Sequence, residues 1–243
     1  MNQFFRSIFY CYGFGWLIGG LIYIIVSMAV PILFSSETSY TPTIASQFML
    51  SLHTGWPYYV LVFTIFTIAD TAMMFIGLVF RSVFGASTLT NIATLCLFAG
   101  GLVGVCVDLS LLTCWMIMGI LKLSPEVLHG FWSVFLTLQY MGTVLSAWGF
   151  LMGGIGIYAL YQASKPITLL SNGWKKLTLF IFWLCLFILL TIIYSLITNN
   201  GIPSDIVFLI FTIIVAPTWS IWSINQLKKW QQAPTTQRSC KSL

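Results

Sequence analysis

A chain of 243 residues that is 59% hydrophobic and only 6% charged, with a mean hydropathy of +0.97, cannot cover itself in water. Soluble domains carry roughly 25% charged residues. The net charge of +5 comes from ten Lys and Arg that border the apolar runs, so it points to anionic lipid headgroups and excludes nucleic acid as a partner.

Apolar runs of about 20 residues cross a hydrocarbon core near 30 Å thick, and six occur in chain order. The first, residues 13–34, follows Arg6; its core is too long for a signal peptide and no small-x-small cleavage site follows, so it reads as a retained span. The loop 35–56 carries Ile44, Phe48, Met49 and Leu52 at helical spacing after Thr41-Pro42. That pattern fits a short helix lying on the membrane interface, with an irregular loop as the rival reading. The second span covers 58–80 and closes on Arg81. The third covers 91–121, a helix of roughly 46 Å if continuous. The fourth starts at Pro125, where Ser124-Pro125-Glu126 makes a good helix start, or at Phe131, and ends at Tyr161. The fifth covers 177–197 behind Lys175-Lys176, and the sixth covers 205–224 ahead of Lys228-Lys229. The fold class is therefore all-α: a polytopic bundle of six transmembrane helices. One domain takes residues 1–224, and 225–243 form a polar, basic tail.

Cytoplasmic loops retain Lys and Arg. Arg6, Arg81, Lys165, Lys175, Lys176, Lys228, Lys229, Arg238 and Lys241 fall in alternate loops and at both ends, leaving Lys122 alone opposite. Both termini are predicted to be cytoplasmic. Cys96, Cys106, Cys114 and Cys185 lie within spans, and Cys11 and Cys240 on the basic side, so no exoplasmic disulfide framework is implied.

Two acids stand within apolar runs: Asp70 near the middle of span two and Asp108 well inside span three. A carboxylate at bilayer centre costs about 2.5–3.5 kcal/mol on insertion scales, so each should face the bundle interior. Thr64, Thr67 and Thr71 recur beside Asp70 at spacings of three and four, and are predicted to share its side. Gly100, Gly104 and Asp108 form a strict four-residue stripe, which puts Asp108 at a helix–helix seam. Helix four carries a second small-residue stripe of Gly142, Ser146, Gly149, Gly153 and Gly156, with Gln139 three residues ahead; it reads as a packing face, with Gln139 and Thr143 able to lend polar groups to an inner cavity. Gly15 and Gly19 repeat the theme on helix one. Pro31 and Pro217 are expected to kink helices one and six.

No Lys, Arg or His lies at the depth of the two acids. Three readings follow: acids that hydrogen-bond between helices, a proton- or cation-coupling site, or acids awaiting a basic partner subunit. The only histidines, His53 and His129, each precede a tryptophan by three residues. Both are predicted exoplasmic; they suit an interfacial belt or, as a weaker alternative, ligands of haem or copper. No cofactor is otherwise indicated, and no GxSxG, HExxH, Walker loop or dinucleotide turn occurs. The leading functional reading is a small transporter or channel-like protein with an acidic centre of Asp70, Asp108, Thr67, Thr71 and Gln139. The alternative is a non-catalytic subunit or scaffold that docks a membrane protein, or a second copy of itself, through its small-residue faces.

Overall fold

The computed structural model describes residues 3–29, 42–121, 125–198 and 202–232. Among the described residues the chain is helical with no strand: α1 Gln3–Ala29, α2 Pro42–Phe84, α3 Thr88–Leu121, α4 Pro125–Ser164, α5 Asn172–Thr198, α6 Ile202–Ile210 and α7 Ala216–Gln232. A π turn, Phe211–Val215, joins α6 to α7, so the last three pieces make one span. Among the described residues six helices are long and apolar enough to cross a membrane. Helices suit such a chain because every backbone donor and acceptor is satisfied within the segment, where no water is present to replace a missing partner.

Several boundaries differ from those predicted. The segment expected to lie on the interface is helical, but it is the first part of a continuous 43-residue α2. Its apolar positions keep the period of the span that follows. Pro57, the one breaker between them, removes a single N–H without ending the helix. The sixth span also runs on into the expected tail, to Gln232, because Leu227 and Trp230 still find buried positions there. Pro31 lies outside the described residues. Pro217 follows a widened turn. Its ring would strike the carbonyl of Ile213 in a regular α-helix, and the π turn just ahead, with the Ala216 N–H donating to the Phe211 carbonyl, moves that carbonyl aside.

Neighbouring helices run antiparallel, and small residues set their separation. Gly15 of α1 meets Ala69 of α2, and Gly19 meets Phe66. Gly77 of α2 meets Thr94 of α3, while at the far end Trp56 meets Gly119 and Tyr59 stacks on Trp115 at 4.2 Å. Gly100 of α3 lies against Gly149 and Gly153 of α4, and Gly154 of α4 against Cys185 of α5. Two tryptophans then tie α5 to α7: Trp174 Nε1 donates to Ser223 Oγ at 2.9 Å, and Trp219 Nε1 to Thr178 Oγ1 at 3.0 Å. Finally Gly13 and Gly20 of α1 meet Ser220 of α7 and Thr212 of the π turn. The sixth span thus returns to the first, and the bundle closes into a ring.

Among the described residues the cations gather at one end of that ring. Phe9, three residues after Arg6, packs on Phe80 beside Arg81, and Phe84 packs on Trp230 beside Lys229. The Lys175 ammonium donates to the carbonyls of Lys165 at 3.1 Å and Ile167 at 2.8 Å, which closes the α4–α5 turn. Ser171 N–H donates to Gln226 Oε1 at 2.9 Å and fastens the same turn to α7.

A central cavity of acids and aromatic rings

Asp70 belongs to the inward face of α2, where Phe66, Ala69, Met73, Ile76 and Phe80 recur at three- and four-residue spacing around it. Opposite stands α3 with its glycines. A Cβ on Gly101 would lie 2.6 Å from the Asp70 carbonyl oxygen, and one on Gly104 would overlap the Asp70 carboxyl group. The missing side chains therefore let the two backbones close in, and at Gly104 they make the space the carboxyl fills. One turn further along α3, Asp108 lines the same cavity as Asp70, so the two acids belong to one site. Relative exposures of 6% for Asp70 and 7% for Asp108 put both inside the bundle. A hydrogen bond between two carboxyl groups would require a proton on one of them. One oxygen of the pair, Asp108 Oδ2, is buried and has no hydrogen-bond partner.

That pair opens on a cavity of about 110 Å³ at the centre of the ring. Every span contributes to its wall: Tyr12 and Trp16 from α1, Phe66 and Asp70 from α2, Gly104 and Asp108 from α3, Phe150 and Gly153 from α4, Cys185 from α5, and Phe208, Phe211 and Trp219 from the sixth span. The rings brace one another edge to face. Phe150 meets Phe211 at 5.7 Å with planes 84° apart, and Trp16 meets Phe211 at 5.9 Å and 75°. Trp16 is buried, and its indole N–H is a second polar group without a partner. Among the described residues no Lys, Arg or His lines the cavity.

The acids and the α3 stripe meet here, but the threonines do not. Thr67 and Thr71 hydroxyls donate to the carbonyls of Phe63 and Thr67, each at 2.7 Å, and Thr64 bonds Val60 in the same way. Thr64 and Thr71 are exposed, and none of the three lines the cavity. Successive helix positions turn by about 100°, so Asp70 looks inward while Thr71 looks outward. On α4, Ser146, Gly149 and Gly153 line the cavity, and Gly142 is buried beside Val107. The side chains of Gln139, His53 and His129 lie outside the described residues. Among the described residues no group of three or more His, Cys, Asp or Glu is placed to hold a metal ion.

The aromatic wall is the part that sequence reasoning missed. Ten tryptophans and twenty phenylalanines read as lipid-facing bulk and belts, and nothing in their spacing singles out those that face a cavity. The one local signal is Tyr12 and Trp16, four residues apart beside the Gly15–Gly19 stripe. The fold and site define a multi-pass, all-α membrane protein with a closed six-span ring around an acid-and-aromatic cavity. Comparison with protein-family models, with curated proteins and with solved structures gave no match for this chain.

Proposed function

We propose that this protein is a small transporter or channel-like protein whose polar centre is the Asp70–Asp108 pair, acting in proton or cation coupling. The observation that carries the reading is Asp108 Oδ2: buried, unpaired, and on a residue that lines a cavity walled by all six spans. A carboxyl pair that served only to join α2 to α3 would gain nothing from leaving an oxygen unsatisfied, since an unmet buried acceptor costs about 1–3 kcal/mol. A proton or cation arriving at that oxygen supplies the missing partner. While the pair holds one proton it carries a single negative charge; taking up a cation neutralises it. Each step alters the attraction across the α2–α3 seam, where Gly104 gives the acid its room. The distribution of Lys and Arg adds an orientation to the reading, with both chain ends in the cytoplasm.

The test is flux in vesicles that contain the purified protein. Asp70→Asn and Asp108→Asn keep size and hydrogen-bonding capacity but remove the charge. Each is expected to lower coupled proton or cation flux at least tenfold while the protein still elutes as the parent does. Parental flux in both variants rejects the coupling role.

A further inference from the structure

We infer that the cavity receives a small monovalent organic ammonium ion, held by the Asp70–Asp108 pair and by the faces of the surrounding rings. This inference rests on the coupling-site reading and adds the class of ligand. Charge is the first argument. Among the described residues two acids and no cationic side chain meet in the wall, and a buried charge without a partner is costly, so the site favours a cation over an anion or a zwitterion.

The chemistry of the wall then selects among cations. A hard divalent ion asks for about six or more oxygen ligands. Among the described residues the side-chain oxygens here are those of the two acids, Tyr12 and Ser146, and most of the remaining wall is aromatic or aliphatic. An alkylated ammonium has the opposite needs: a carboxylate for its charge and ring faces for its carbon shell. Aromatic faces attract such ions within about 6 Å of the ring centroid. Phe211 stands nearly at right angles to both Trp16 and Phe150, with centroids 5.9 and 5.7 Å away, so the rings meet at corners as in a cage. Size is the third argument. A dry cavity of about 150 Å³ holds benzene, so about 110 Å³ suits an ammonium ion of a few carbons. Asp108, whose buried Oδ2 has no hydrogen-bond partner, supplies the opposite charge. The Trp16 N–H, a donor, suits a hydroxyl on the ligand or an accompanying water.

Calorimetric titration of the full chain in a maltoside detergent with tetramethylammonium chloride tests this, at ionic strength held constant with sodium chloride. Saturable binding is expected, with none for tert-butanol, an uncharged molecule of similar shape. Asp108→Asn is expected to weaken binding at least tenfold and Asp108→Glu by only a few-fold. Phe150→Leu, which removes a ring and keeps the charge, is expected to weaken it about three- to tenfold. Thermal melts of each variant confirm that it is folded. A choline headgroup carries the same chemistry as a free ammonium ion; tetramethylammonium binding that persists in phosphatidylcholine nanodiscs assigns the site to the free ion, and its loss there assigns the site to the headgroup. No saturable binding, equal binding of tert-butanol, or parental affinity in Asp108→Asn overturns the inference. Proton flux measured without any ammonium keeps the two readings apart. Acid-dependent flux without tetramethylammonium binding removes only the ligand class, whereas binding with flux insensitive to both Asp→Asn changes removes only the coupling role.

Discussion

At the scale of single residues, the site depends on an atom that Gly104 lacks. A methyl group there would overlap the Asp70 carboxyl, and both α2 and α3 are too closely packed at Gly101 for the helices to part freely. Gly104→Ala is expected to destabilise the protein by about 1–3 kcal/mol, the usual cost of overpacking, and to lower acid-dependent flux with it. Gly142→Ala is the matched control, since its new Cβ would meet only Val107 Cγ1 at 3.5 Å, an ordinary contact, and alanine favours helix. Thermal melts of the two variants decide the point: equal losses would mean that glycine content, and not the Asp70 clearance, matters. The same residues mark what was legible beforehand. Gly100, Gly104 and Asp108 can be read as a seam because a four-residue period keeps one face of a helix. Thr67 and Thr71 invite the opposite error, since spacings of three and four cover a broad arc. Only the position of α3 reveals which edge of that arc faces inward.

At the scale of elements, span number and order follow from apolar length, because a hydrocarbon core demands it of any crossing helix. Helix ends at the water boundary are less legible. There an amphipathic stretch such as 42–56 has the same period whether it lies flat or continues α2. The widened turn at Phe211–Val215 is a further case: Pro217 announces a disturbance, but an extra residue and a simple kink look alike in sequence. That extra residue matters for the cavity. Thr212 fits against Gly20 and Ser220 against Gly13, and a regular helix through the same stretch would rotate one contact away from α1 by about 100°. Phe208 and Phe211 would turn with the first contact, or Trp219 with the second. Deleting Ile214, an exposed residue within the turn, is therefore expected to reduce tetramethylammonium binding more than tenfold, while Ile214→Ala stays within about 1 kcal/mol of the parent in stability. Parental binding by the deletion variant would mean that the rings of the sixth span are not part of the site.

At the scale of the whole molecule, ring closure and charge segregation make one testable statement about orientation. The contacts of Phe9 with Phe80, of Phe84 with Trp230 and of Trp174 with Trp219 bring Arg6, Arg81, Lys175, Lys176, Lys228 and Lys229 to one end. α5 starts at that end and, at 27 residues, extends roughly 40 Å to the other. Lys and Arg stay on the cytoplasmic side during insertion, so the α2–α3 turn should face the cytoplasm and the end of α5 the exterior. Ala86, exposed in that turn, and Thr198, exposed at the end of α5, are suitable reporters. In intact cells, Thr198→Cys is expected to react with a membrane-impermeant maleimide above the parent level, and Ala86→Cys only after permeabilisation. The reverse pattern would show that charge does not set the orientation of this chain. Labelling of both from outside would place the two ends of the ring on one side of the membrane, and a crossing bundle with an acid centre between its ends would no longer describe the protein.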